Sequence, residues 1–167
     1  MEIILKIGAD PTRWLAEAAS FDAMAAHLDQ SGPVTVGVAG PVRGTLVLSI
    51  AHAGTVTLLP PLPGEGSHPS DNPPPIQPHA LVSLEALVLV EPALYVPTVT
   101  GAPQASGYAL PANTDLAALQ QGIITAMTDG STLRVPLRMS VASPGGMVML
   151  DGASLAFAVI CPAAGQG

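Results

Sequence analysis

The chain has 167 residues, enough for one domain with a substantial core. Hydrophobic residues supply 49% and charged residues only 10%, which excludes the apolar-poor, charge-rich composition of a disordered chain. The net charge of −7, with Lys6 the one lysine among five basic residues, argues against nucleic acids and anionic membranes as partners, since both are held by Lys and Arg against phosphate.

A spanning helix needs about 20 mainly apolar residues. The longest candidate here, 80–96, is interrupted by Ser83, Glu85, Glu91 and Pro92, so no membrane partner is expected. The first residues carry no basic segment and too short an apolar run for a signal peptide. The expectation is a cytoplasmic protein, or an assembly built from cytoplasmic protein. Cys161 is the one cysteine, which leaves no internal disulfide and no cysteine-based zinc site. It lies at the end of an apolar run and reads as a buried strand thiol.

In chain order, residues 2–7 alternate and read as a strand. Asp10-Pro11 reads as a capped helix start, followed by an apolar stripe of Trp14, Ala18, Phe21, Ala25 and Leu28 that ends at Ser31-Gly32-Pro33. Val34, Val36 and Val38 alternate as a second strand. Residues 45–50 and 55–59 read as two more, joined by a hairpin through Ala51-His52-Ala53-Gly54. Residues 60–78 hold eight of the eighteen prolines and read as a stiff, exposed loop. Loops of that length usually bind something or stay disordered.

Residues 81–90 favour a long strand, apolar on both faces. Residues 94–100 suggest an edge strand, because Pro97 removes a ladder donor, and 101–107 reads as a loop. Asn113-Thr114-Asp115 caps a second helix with Leu116, Leu119, Ile123 and Met127 inward, ended by Asp129-Gly130. Leu133, Val135 and Leu137 alternate as a strand near an edge, given Pro136. Asp151-Gly152 between the apolar runs 147–150 and 153–160 reads as a type I′ hairpin turn.

The fold class that follows is α+β: a mainly antiparallel sheet with two amphipathic helices. The order strand, helix, strand, hairpin occurs twice and suggests an internal duplication within a single domain, 1–167. Its first half is 1–60 and its second 108–167, around a Pro-rich loop and inserted strands at 61–107. Gly44 to Pro60 aligns without gaps on Gly146 to Pro162, with Gly44/Gly146, Leu48/Leu150, Ala51/Ala153 and Pro60/Pro162 identical. That alignment sets Asp151-Gly152 opposite Ser49-Ile50, out of step with a first turn at Ala53-Gly54.

Chemistry is sparse. Ser70-Asp71-Asn72 lacks the Ser-x-x-Lys and Lys-Thr-Gly partners of penicillin-binding enzymes, and no hydrolase elbow, phosphate loop or zinc-protease motif occurs. Gly64 and Gly66 sit among prolines with no helix to follow. Glu85 and Glu91 would stand roughly 20 Å apart on a straight strand, beyond the roughly 5–10 Å of a glycosidase pair. Dispersed His27, His52, Asp129 and Arg134 would have to converge for an enzyme, and no catalytic residue, cofactor or metal is assigned. Arg134 and Arg138 share a strand face and read as solvated. The Pro-rich loop offers His68, Asp71, Pro73, Pro74, Pro75 and His79 as interaction residues.

Met147 and Met149 alternate with Val148 and Leu150, leaving both strand faces apolar. With few charges to solvate the surface, the expected role is structural: a homo-oligomer, or part of a virion, tail-like or compartment-associated particle with other assembly proteins. The alternative is a protein-binding or regulatory module that uses the loop at 60–78.

Overall fold

A computed structural model describes residues 1–10, 12–63, 92–97, 106–138 and 146–163. The protein is α+β, mostly antiparallel sheet with three helices among the described residues. Strands β1 (Glu2–Ile7), β2 (Trp14–Glu17), β3 (Val34–Gly40), β4 (Gly44–Leu48), β5 (Val56–Leu59), β6 (Ala93–Val96), β7 (Ser106–Ala109) and β10 (Phe157–Cys161) form one sheet in the order β5-β1-β2-β3-β4-β10-β6-β7. Strands β8 (Thr132–Leu137) and β9 (Gly146–Asp151) pair separately as a hairpin. The helices are α1 (Phe21–Leu28), the single turn α2 (Ile50–Ala53) and α3 (Leu116–Asp129).

Two of the expected elements form with the expected ends. Strand β1 spans 2–7 as its alternation requires. Helix α3 begins at Asp115, whose side chain accepts from the Ala118 amide at 3.0 Å, and ends at Gly130 in the left-handed conformation. Ile123, Ala126 and Met127 are its buried residues, with Leu116 and Leu119 packed alongside.

Elsewhere the expectation is corrected. Residues 14–17 form a strand, not the first turn of a helix, and pair with β1 and β3. Trp14, Leu15 and Ala16 are all buried, as in a strand covered on both faces, whereas an amphipathic helix would expose one of them. Asp10 makes a local turn, accepting from the Thr12 amide at 2.8 Å. The helix starts at Ser20, whose hydroxyl accepts from the Ala23 amide, and it buries Met24 and Leu28 while Ala25 is exposed.

The two expected closing hairpins are also absent. After β4, the turn α2 carries the chain away, and β5 pairs with β1 instead of β4. After β9, Asp151 organises a turn: its carboxylate accepts from the Ala153 amide and the Ser154 hydroxyl, and its carbonyl accepts from the Leu155 amide. Strand β10 then crosses to lie between β4 and β6. A Cβ on Gly152 would overlap the Ala126 carbonyl at the end of α3, so this glycine serves close packing rather than a hairpin bend. Residues 93–96 are not an edge strand, since β6 has β10 on one side and β7 on the other; Pro97 falls just after the strand ends. Ser106 and Gly107 belong to β7 rather than a loop. The loop beyond residue 63 and the strand expected at 81–90 lie outside the described residues.

Two apolar clusters occupy opposite faces of the sheet. The first gathers Ile3, Leu5 and Ile7 of β1, Trp14 and Ala16 of β2, the three β3 valines, Leu46 and Leu48 of β4, Tyr95 of β6 and Phe157 and Val159 of β10. Met24 and Leu28 of α1 join it. In a flat sheet β2 and β10, three positions apart, would lie about 14 Å from one another. The Trp14 and Phe157 rings instead meet edge to face, with centroids 5.8 Å apart, so the sheet curls around this cluster. The second cluster puts α3 and the inner face of β8–β9 against Val47, Leu94, Val96, Ala158 and Ile160.

Among the described residues the succession strand, strand, helix, strand, strand, turn, strand occurs twice, as β1-β2-α1-β3-β4-α2-β5 and as β6-β7-α3-β8-β9-turn-β10. In each, the first strand is flanked by the second and the last. The Arg138 amide donates to the Ala109 carbonyl, linking the end of β8 to the end of β7.

Replacing Gly152 by Ala is expected to destabilise the fold by about 2 kcal/mol or more, because backbone must move to admit the methyl group. Gly37→Ala, where a Cβ meets nothing within 4 Å, is the control. Urea denaturation of both variants checks the difference, and equal midpoints would contradict the close approach.

Candidate interaction surface

His27, His52, Asp129 and Arg134 stand in four separate places, and the two histidines bond across junctions between elements. His27, at the end of α1, donates from Nε2 to the Thr35 carbonyl at 2.8 Å and ties the helix to β3. His52, in α2, bonds through Nδ1 to the Leu155 carbonyl at 3.1 Å, linking the two inter-strand turns across 103 residues of sequence. Asp129 accepts from the Ser131 amide just after α3. Its hydrogen bonds to Ser131 hold its carboxyl below the ordinary range. Arg134 projects on the outer face of β8, directly opposite Met149. No group of three or more His, Cys, Asp or Glu among the described residues is placed to hold a metal ion. His68, Asp71, Pro73, Pro74, Pro75 and His79 all lie outside the described residues, as do the Ser70-Asp71-Asn72 motif, the Gly64 and Gly66 pair, and Glu85 and Glu91.

The interior holds two polar atoms without a protein partner among the described residues, the Trp14 Nε1 and the Tyr95 hydroxyl. Burial, followed by the neighbouring Cys161, pushes the Tyr95 hydroxyl well above its usual range. Burial also pushes the Cys161 thiol up to about 12. At neutral pH both groups stay protonated, and Cys161 has neither the thiolate character nor the access of a nucleophile.

The candidate surface among the described residues is apolar and exposed. Met147 and Met149 are 54% and 59% exposed, on the outer face of the hairpin, while Leu150 turns inward. Opposite them on β8 stand Pro136 and Arg134. Among the described residues β9 pairs only with β8, and β5, at the end of the large sheet, pairs only with β1. Among the described residues both strands thus have one backbone edge without a neighbouring strand. Neither contains Lys, Arg or Pro, the residues that commonly blunt such edges. Val56 and Leu58 of β5 are half-buried at the rim of the first cluster. The alternation of Met147 and Met149 is legible in sequence. The exposed rim on β5 is not, because it depends on β5 leaving β4 for β1.

No family model, curated protein or solved structure matches this chain.

Two measurements test the interior. Tyr95→Phe should leave stability unchanged or raise it by up to about 1 kcal/mol in urea denaturation, since it removes a buried hydroxyl with no partner among the described residues; a marked loss would reveal a hydrogen bond. A disulfide reagent at pH 8 should release nothing from the folded protein and one equivalent after denaturation, whereas prompt reaction would contradict the burial of Cys161.

Proposed function

We propose that this chain is a non-enzymatic structural or assembly protein that associates with copies of itself. The observation that carries this reading is the pair Met147 and Met149, more than half exposed on a strand whose outer edge has no partner among the described residues. Flexible thioethers on an exposed face suit burial against a partner. With only 10% charged residues, the chain has little to solvate such a face. A virion, tail-like or compartment-associated particle would use a domain of this kind. The alternative, a module acting through residues 60–78, rests on a segment almost wholly beyond the described residues, and no observation favours it.

We further infer that the chain is an internal duplication. The recurring succession of elements supports it, as does the gapless match of 44–60 with 146–162. That match sets β4 on β9, α2 on the turn after Asp151, and β5 on β10. The turn opposite Asp151-Gly152 is now α2, which follows Ser49, so both units turn at the aligned place. On this reading the second unit begins at β6, and the insertion narrows to the residues between β5 and β6.

Size-exclusion chromatography with light scattering should give a mass above the 16.8 kDa of one chain. Introducing Met147→Lys with Met149→Lys should return it to the monomer without unfolding. A wild-type monomer at high concentration would overturn the proposal.

A further inference from the structure

The way the two units join inside one chain specifies how one chain would join the next. Strand β4, the last of the first unit's row β5-β1-β2-β3-β4, pairs antiparallel with β10, which opens the second unit's row. In that join Leu48 faces Phe157, Val47 faces Ala158, Leu46 faces Val159 and Thr45 faces Ile160. Val47 points away from its own unit's cluster and into the second, where both it and Ala158 are fully buried. The counterpart of β4 is β9, and the counterpart of β10 is β5. Those are the two strands whose outer edges are unpaired among the described residues.

The counterpart of Val47 is Met149. Val47 is 0% exposed because a neighbouring unit covers it, and Met149 is 59% exposed where no such unit stands. The counterparts of Ala158 and Ile160 are Val56 and Leu58, which are half-buried at the open rim of the first cluster. Each side of the internal join therefore has an equivalent strand with one edge unpaired among the described residues.

We propose that β9 of one molecule pairs antiparallel with β5 of a second copy, head to tail, in the register of the internal join. Leu150 would then face Thr55, Met149 face Val56, Val148 face Thr57 and Met147 face Leu58. Residues directly opposite in an antiparallel pair share a face. The two methionines accordingly extend the neighbour's first apolar cluster over its β5 rim, as Val47 extends the second cluster within the chain. The contact uses different surfaces on the two partners, so it propagates into a ring or a filament instead of stopping at a dimer. This inference rests on the self-association and duplication proposed above.

Cysteine cross-linking tests it, with native Cys161 kept buried. Opposed residues in an antiparallel pair lie within disulfide reach. Under mild oxidation, Val56→Cys mixed with Met149→Cys should give a cross-linked dimer containing one of each. Neither variant alone should cross-link with itself. The double variant should give a ladder of dimers, trimers and higher multiples. Thr57→Cys mixed with Met149→Cys, whose side chains would fall on opposite faces, should cross-link at most about a tenth as fast.

Self-cross-linking of Met149→Cys alone would indicate a symmetric β9 contact and overturn the head-to-tail register. Closure of the double variant into a cross-linked monomer would place β5 and β9 of one chain together and overturn the second-copy occupant. Failure of the mixed pair in a wild-type protein that light scattering shows to be oligomeric would overturn this interface alone. A monomer by light scattering would overturn both this inference and the reading beneath it.

Discussion

The antiparallel pairing of β4 with β10 is the constraint on which the rest of the structure depends. It brings residues 44–48 against residues 157–161, more than a hundred positions away, and unites two rows of strands into one sheet. Each face of that ladder feeds a different core. Leu46, Leu48, Phe157 and Val159 enter the first cluster, and Val47, Ala158 and Ile160 enter the second. A ladder buried on both sides explains why β10 is apolar at every position, Phe157 to Cys161. It also explains the close approach at Gly44, where a Cβ would overlap the Ile160 carbonyl of the paired strand.

The curl of the sheet follows from what each face must cover. Trp14 reaches Phe157 across two intervening strands because the first cluster is filled from both ends of the curve. The apolar contribution comes mainly from β-branched and leucine side chains. Three of the five aromatics, Trp14, Tyr95 and Phe157, are fully buried in this cluster. Among the described residues the Trp14 Nε1 and the Tyr95 hydroxyl have no protein partner, a cost to stability that the surrounding burial offsets. On the other face α3 supplies Ile123 and Met127, and the β8–β9 hairpin closes over them.

On the proposed duplication, self-association would follow from a sheet made by repeating one unit. On that reading a unit with unlike ends can be followed by another of its kind, and two units leave one edge of each type unmatched among the described residues. The turns between strands reinforce this separation of ends. His52 bonds the α2 turn to the Leu155 carbonyl in the other unit's turn, so the junction is fixed by a hydrogen bond as well as by the ladder. His27 likewise fastens α1 to β3 through the Thr35 carbonyl.

Local signals were enough wherever one element answers to its own neighbours. The alternation at 2–7, the Asp115 cap, the Gly130 stop and the alternating valines of β3 could all be read directly, since a cap or a strand face depends on residues within a few positions. The exposed methionines of β9 were legible for the same reason. The spacing from Trp14 to Leu28 misleads because a strand buried on both faces followed by a short helix imitates one helical stripe. Asp151-Gly152 misleads because a hairpin turn and a turn that crosses to another strand use the same residues. Which strand β5 and β10 would choose as neighbour was decided only in the tertiary structure. Adjacent strands offered equally apolar partners, and the choice fell to the arrangement that buries both faces of the β4–β10 ladder at once.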